Sequence, residues 1–211
     1  MPIRSPELNA QRREQIMAAC LALYGKKSFR EIAMRDIAEA TTFSRPSIYN
    51  YFETKEEIFL ALSQREYEQW TADLNEIVQQ NEALDIAGFA DAAAKTVERR
   101  ILLLKLLSMN MYDMEENSRA ERLTEFKTVY GASMDALSNG LKKFFPDMTE
   151  TQRGDFLMCF MAFMYGIYPY AFVTDKQNEA MKNAGMSFQP LTVYEMTYNM
   201  IVRLLSSNKA E

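Results

Sequence analysis

Met34-Arg35-Asp36-Ile37-Ala38-Glu39-Ala40, then Thr41-Thr42-Phe43, then Ser44-Arg45-Pro46-Ser47-Ile48-Tyr49-Asn50-Tyr51-Phe52, and last Thr54-Lys55-Glu56-Glu57 run almost without interruption near the start of the chain. The first piece predicts a short helix with Ile37 and Ala38 facing inward, and Thr41-Thr42-Phe43 breaks it. Ser44 opens a further helix. Its side chain can accept from the first free backbone N–H groups, and Pro46 fits the first turn, where a missing donor costs nothing. That helix is expected to end near Phe52, and Ile48 and Phe52 are assigned to a core. Thr54 followed three residues later by Glu57 reads as a capping box at the head of a longer helix. Two short helices joined by a turn of three to four residues fit a helix-turn-helix, whose second helix presents its N-terminal side chains to base edges in the major groove.

Upstream of this stretch a helix is expected over 6–24, with Ile16, Ala19, Cys20, Leu23 and Tyr24 on one stripe and Gly25 ending it in a left-handed conformation. Downstream the helices lengthen. The fourth runs to about residue 80, the fifth covers 84–109, a short kinked sixth covers 111–114, and the seventh covers 118–145, where Pro146 stops it. Thr149 caps an eighth that reaches at least Tyr168 and is kinked or ended near Tyr165 by Pro169. Residues 174–190 read as a polar loop, and a ninth helix covers 191–205. With 7 Gly and 6 Pro among 211 residues, there is little punctuation for β-turns, and the fold class is all-α with nine helices.

Charge divides along the chain. Residues 1–55 hold 9 Lys+Arg against 6 Asp+Glu, whereas the chain as a whole carries a net −5, so a basic head precedes an acidic body. That pattern suits a protein that touches phosphates with one end only. The chain has no His, which removes the commonest general base and metal ligand; no metal site, cofactor or catalytic residue is expected, and the chain is not read as an enzyme. Cys20 and Cys159 are too few and too far apart for a disulfide framework, and the N-terminus is polar, so reduced thiols in a cytoplasmic protein are expected.

The run from Arg35 to Ala40, the run from Phe43 to Phe52 and the Thr54-Lys55-Glu56-Glu57 box together resemble the DNA-binding domain of the TetR family of bacterial transcriptional regulators, over about residues 11–62. The remaining two-thirds is similar only in helix count and length. The resemblance implies a three-helix DNA-binding domain over 1–55 and a ligand-binding and dimerisation domain over 56–211. It also implies a palindromic operator, a homodimer, and repression relieved by a small ligand. Three positions depart from the family pattern: Thr42 where Gly is usual, Pro46 where Gly or Ala is usual, and Ala33 where Thr or Ser is usual. A positive φ at Thr42 would strain a β-branched residue.

By role, Arg45 is the principal base reader, since its fork matches guanine O6 and N7, and Ser47 is a second. Arg35, Tyr49, Asn50, Tyr51 and Lys55 are assigned to phosphates, with Ser44 and Pro46 completing the approach to DNA. Tyr51 has an equally good structural reading as a core ring.

Residues 156–173 are uncharged throughout, which fits a helix buried on two sides, in a subunit interface with the ninth helix and against a ligand cavity. The candidate ligand contacts are Trp70, Met109, Tyr112, Phe126, Tyr130, Met134, Met158, Met161, Tyr165 and Tyr168. Adaptable Met side chains and aromatic rings suit a hydrophobic or aromatic effector, with planar and cationic forms both compatible. Two alternatives stand beside this reading. One is a redox-sensing regulator using Cys20 or Cys159; both thiols also read as small hydrophobes in cores. The other is a single-span membrane-associated protein, for which Gly166, Pro169 and the tyrosines make 156–173 a poor span.

Overall fold

The structure, a computed structural model, describes residues 6–187 and 189–207, the Met109 side chain excepted. Among them are eleven α-helices, a 3-10 turn at Phe29–Glu31 and no strand. The helices are α1 (Pro6–Tyr24), α2 (Met34–Glu39), α3 (Arg45–Ile48), α4 (Lys55–Gln80), α5 (Ile86–Glu98), α6 (Ile101–Glu116), α7 (Ala120–Phe144), α8 (Glu150–Gly166), α9 (Tyr168–Ala171), α10 (Asp175–Asn183) and α11 (Val193–Ser207).

The all-α expectation holds, with several local corrections. The predicted fifth helix breaks at Arg99 and Arg100. Both guanidiniums turn to Asp73, at 3.4 and 2.5 Å, and the chain then restarts as α6, one continuous helix that includes 111–114. The helix opened by Ser44 has α geometry only to Ile48 and continues as hydrogen-bonded turns. Part of the polar stretch 174–190 is helical, because Thr174 and Gln177 form a capping box. α1 does end at Tyr24, but Gly25 is not left-handed. The one positive φ among the described residues is at Gly185 (69°), just past α10, so Thr42 makes its turn without that strain. Pro146 and Thr149 act as expected, and Pro169 sits in the first turn of α9, immediately after α8 stops at Gly166.

The chain divides into two compact units: residues up to 65 together with 110–128, and 66–109 together with residues from 129 onward. In the first, Ile16, Cys20, Ile32, Ile37, Ile48, Phe52 and Phe59 are buried. Full burial of each large apolar side chain contributes about 1.5–3 kcal/mol before entropy is counted. The rings of Tyr24 and Phe29 stand edge-on to Phe59, with centroids at 5.0 and 4.8 Å. A buried carboxylate sits beside this core. Glu57 is 1 % exposed and accepts from the Arg119 side chain at 2.6 and 2.9 Å, from the Arg119 backbone N–H at 3.2 Å and from the Glu53 N–H at 2.8 Å. Burial alone would raise its pKa. The bonds from Arg119 and from the Glu53 N–H outweigh that and hold it below the ordinary carboxylate value.

The second unit has an aromatic core. Tyr130 meets Tyr67 edge-on at 5.5 Å, Tyr67 lies 6.2 Å from Trp70, Trp70 stacks on Phe160 at 6.5 Å, and Phe160 stacks on Phe156 at 5.7 Å. The Trp70 indole N–H donates to Thr96 Oγ1 at 3.0 Å, and that hydroxyl donates to the Ala93 carbonyl at 2.7 Å, so the buried donors are satisfied. Small residues on α5 (Ala90, Ala93, Ala94) allow close packing with α11, which buries Val193, Thr197, Ile201 and Leu205 at helical spacing. Gly140 on α7 admits the Phe89 ring, whose Cε2 would lie 3.2 Å from a Cβ built there. α8 buries Phe156, Phe160, Met161 and Met164. Its other side leaves Met158 71 % exposed, with Cys159 exposed as well.

α7 ends before Pro146, α8 starts after Thr149, and α5 starts after its cap Asp85; between these ends and Leu205 of α11 a cavity of about 440 Å3 remains. No described helix is long and apolar enough to cross a membrane.

Candidate nucleic-acid interface

The helix-turn-helix is held by local side-chain caps. Ser28 donates to Glu31 through its backbone N–H (2.8 Å) and its hydroxyl (2.6 Å), which sets the 3-10 turn. Ala33 has no side chain with which to cap α2. Asp36 instead reaches back to accept the Ala33 N–H at 2.9 Å, and that bond, aided by nearby Lys27, lowers its pKa. In the turn, the Thr41 hydroxyl donates to the Ala38 carbonyl at 3.1 Å and accepts from the Phe43 N–H at 3.3 Å. This polar bridge does the work of a glycine turn. The guanidiniums of Arg12 and Arg13 lie over the Phe43 and Phe52 rings, at 5.7 and 4.9 Å from their centroids, so α1 meets the turn and the residue closing the motif.

Ile48 and Phe52 are fully buried, as the sequence predicts for core positions. Their burial turns the other side of the segment outward: Ser44, Arg45, Pro46, Tyr49 and Asn50 are exposed and Ser47 is half-buried. The Ser44 hydroxyl does not cap α3. It lies 2.9 Å from the Ser47 hydroxyl, so these two residues share one hydrogen bond instead. Arg45 lies against Tyr49, donating to its hydroxyl at 3.0 and 3.3 Å with the guanidinium 5.7 Å over the ring. Arg35 is exposed at the start of α2, 3.7 Å from Glu39.

Two of the residues assigned to phosphates sit differently. Tyr51 is 6 % exposed. Lys55 turns inward: its ammonium donates to the Phe29 carbonyl at 2.7 Å and the Ile32 carbonyl at 3.0 Å, 4.4 Å over the Phe29 ring. It fastens the start of α4 to the segment before α2. The Thr54 capping box is half formed. The Thr54 hydroxyl accepts the Glu57 N–H at 3.2 Å, but Glu57 itself turns to Arg119 and to the Glu53 N–H. Arg119 is a positioning residue that the sequence reading missed, because its partner lies 62 positions away.

The candidate ligand contacts fall in both units. Tyr112 (79 % exposed) and Phe126 (buried) belong to the first unit; Trp70, Tyr130, Met134, Met158, Met161, Tyr165 and Tyr168 belong to the second. The Met109 side chain lies outside the described residues. Trp70 and Met161 are buried, Tyr130, Met134, Tyr165 and Tyr168 are half-buried, and Met158 stands on the surface. None of them lines the 440 Å3 cavity. Burial pushes the Tyr168 hydroxyl up, and its ring stacks on Phe172 at 4.7 Å. Cys20 is buried, but Cys159 is exposed, which corrects its reading as a core residue. Among the described residues no cluster of three or more Cys, Asp or Glu is placed to hold a metal ion.

These features define a helix-turn-helix protein with a separate helical body. Residues 16–62 match the model of the bacterial regulatory proteins of the TetR family, and residues 64–205 match a tetracyclin repressor-like C-terminal domain. The chain belongs to the TetR family of transcriptional regulators. No curated protein matches it in sequence. Solved structures share its fold. The fatty acid degradation regulator FadR of Bacillus halodurans is 15% identical, with a TM-score of 0.59 over 96% of each chain. A TetR regulator of Rhodococcus sp. RHA1 is 14% identical, with a TM-score of 0.58 over 93% of this chain and 97% of that one. A TetR-family regulator of Streptomyces coelicolor is 17% identical, with a TM-score of 0.58 over 93% and 99%.

Proposed function

We propose that the protein is a ligand-released repressor that binds a palindromic operator as a homodimer in the cytoplasm. Residues 1–55 read DNA, and 56–211 bind the effector and dimerise. The observation that carries this is the exposed edge Ser44, Arg45, Pro46, Tyr49 and Asn50, with half-buried Ser47 beside it, fixed from behind by buried Ile48 and Phe52. Arg45 reads guanine, with Tyr49 orienting its fork from the hydrogen-bonded position it already holds. Arg35, Tyr49 and Asn50 hold phosphates. Tyr51 and Lys55 serve the same contact by fixing the motif, since the first is buried and the second is engaged by two carbonyls. The homodimer reading is supported by the exposed apolar side of α8 around Met158, and the effector is hydrophobic or aromatic.

Selection from a randomised duplex pool followed by sequencing tests the reading. A palindrome with half-sites about one helical turn apart is expected. Arg45→Ala is expected to weaken binding by roughly five- to 150-fold and to relax preference at one base pair per half-site. A pool with no enriched sequence, or an Arg45→Ala protein with unchanged preference, would overturn it.

A further inference from the structure

We propose that the 440 Å3 cavity at the α5, α7, α8 and α11 ends binds a hydrophobic cation, an amine or ammonium carried on an aromatic or branched apolar body. Its regulatory consequence rests on the effector reading above; binding itself does not. The volume falls in the range of small-molecule sites. It lies where Pro146 stops α7 and the ends of α7, α5 and α8 meet the last turn of α11 without a side chain large enough to fill the gap. The aromatic core of the same unit, by contrast, is occupied by its own stacked rings.

The lining sets the chemistry. Leu84, Ile86, Phe144, Phe145, Met148 and Leu205 supply the apolar wall. Four polar side chains also reach it, and three are already committed. Asp85 accepts the Gly88 N–H at 2.7 Å, while Thr149 and Gln152 cap each other's backbone N–H at 3.2 and 2.9 Å. The carboxylate of Asp147, an exposed residue, makes no hydrogen bond or ion pair among the described residues, and no Lys or Arg lines the cavity. The nearby cations are turned to main-chain carbonyls. Lys143 donates to Val78 at 2.7 Å while passing 5.6 Å from the Phe144 centroid, and Arg153 donates to Met148. An apolar pocket with an unpaired carboxylate at its exposed edge and aromatic rings in its wall attracts an organic cation. With two carboxylates and no base in the wall, it repels an anion.

Three probes with one skeleton and different charge test this on the full chain: 4-phenylbutylamine, 4-phenylbutanol and 4-phenylbutyrate, titrated by calorimetry without DNA. The ammonium is expected to bind roughly three- to tenfold tighter than the alcohol, and the carboxylate weakest. Asp147→Asn should erase the preference for the ammonium and leave alcohol binding intact. Leu84→Trp, a change in the segment before α5, should lose all three. Equal binding of the three probes, tighter binding of the carboxylate, or an ammonium preference that survives Asp147→Asn would overturn the proposal. Asp147 is an exposed turn residue, so that variant keeps the test readable if Leu84→Trp misfolds. Cavity binding that leaves retention of duplex DNA unchanged would support the site and refute the ligand-release reading instead.

Discussion

Arg119→Met removes two of the four hydrogen bonds that the buried Glu57 carboxylate accepts, leaving the N–H groups of Glu53 and residue 119. Stripping the partner from a fully buried ion costs about 3–5 kcal/mol. Here the Arg119 side chain is 37% exposed and half the bonds survive, so a loss of about 2–3 kcal/mol is expected. Glu57→Gln, which keeps the shape and removes the charge, should cost less. The two variants should be non-additive when combined, since they share one interaction. The pH dependence gives a second reading. Glu57 has a folded pKa held below its ordinary value of 4.5, so its contribution is fully present above that value and is lost as pH falls through the lowered one. Glu57→Gln should therefore flatten the acid limb of the stability curve. Glu31 and Asp36, also lowered, remain in both proteins and cancel from the difference. Urea unfolding followed by circular dichroism measures the loss, and hydrogen exchange in the first turns of α4 locates it. A loss under about 0.5 kcal/mol for Arg119→Met, with the same acid slope in wild type and Glu57→Gln, would refute the reasoning.

Two glycines on α7 should respond with opposite signs. A Cβ at Gly131 meets nothing within 4 Å, so Gly131→Ala should raise stability by about 0.5–1 kcal/mol through helix propensity. At Gly140 the new atom would press on Phe89, whose ring is held 5.9 Å from Phe144 and 5.5 Å from Phe145; Gly140→Ala should lower Tm, with overpacking of about 1–3 kcal/mol exceeding the propensity gain. The thiols should separate as well. Burial pushes Cys20 up to about 12 while Cys159 is exposed, so a thiol reagent at neutral pH should modify Cys159 in the native protein and reach Cys20 only on unfolding. Rapid labelling of Cys20 would contradict its placement, and protection of Cys159 that rises with protein concentration would identify α8 as the surface a second copy covers.

What could be read along the chain was local. Pro46, Pro146, Pro169 and the Thr149 cap act within a few residues of themselves, and each lies where the pattern placed it. The buried stripe through Ile48 and Phe52 follows from spacing alone, and with it the outward face of Arg45. Features set by distant partners were not legible. Lys55 looks like a surface cation until the Phe29 and Ile32 carbonyls are brought to it, and Glu57 looks like a cap until Arg119 arrives. The break at Arg99 and Arg100 carries no Gly or Pro; what marks it is the pairing of both side chains with Asp73 on another helix. One signal was present and unused: Thr174-Asp175-Lys176-Gln177 has capping-box spacing, and α10 follows it despite burying nothing. For the candidate ligand contacts the sequence offers no discriminating signal, because Met and aromatic residues at helical spacing look alike whether they fill a core or line a hole.

Trp70 is the chain's only tryptophan, and it is fully buried between Tyr67 and Phe160 with its N–H held by Thr96. The protein thus carries a single indole fluorophore, in a dry site within the unit that contains the cavity. Its emission should be blue-shifted while that unit stays packed and should move to the red when water enters. The reading head holds tyrosines but no indole of its own, so opening confined to it should pass without a shift in tryptophan colour. An emission curve that lags the loss of helicity would then separate the two units in a single unlabelled sample.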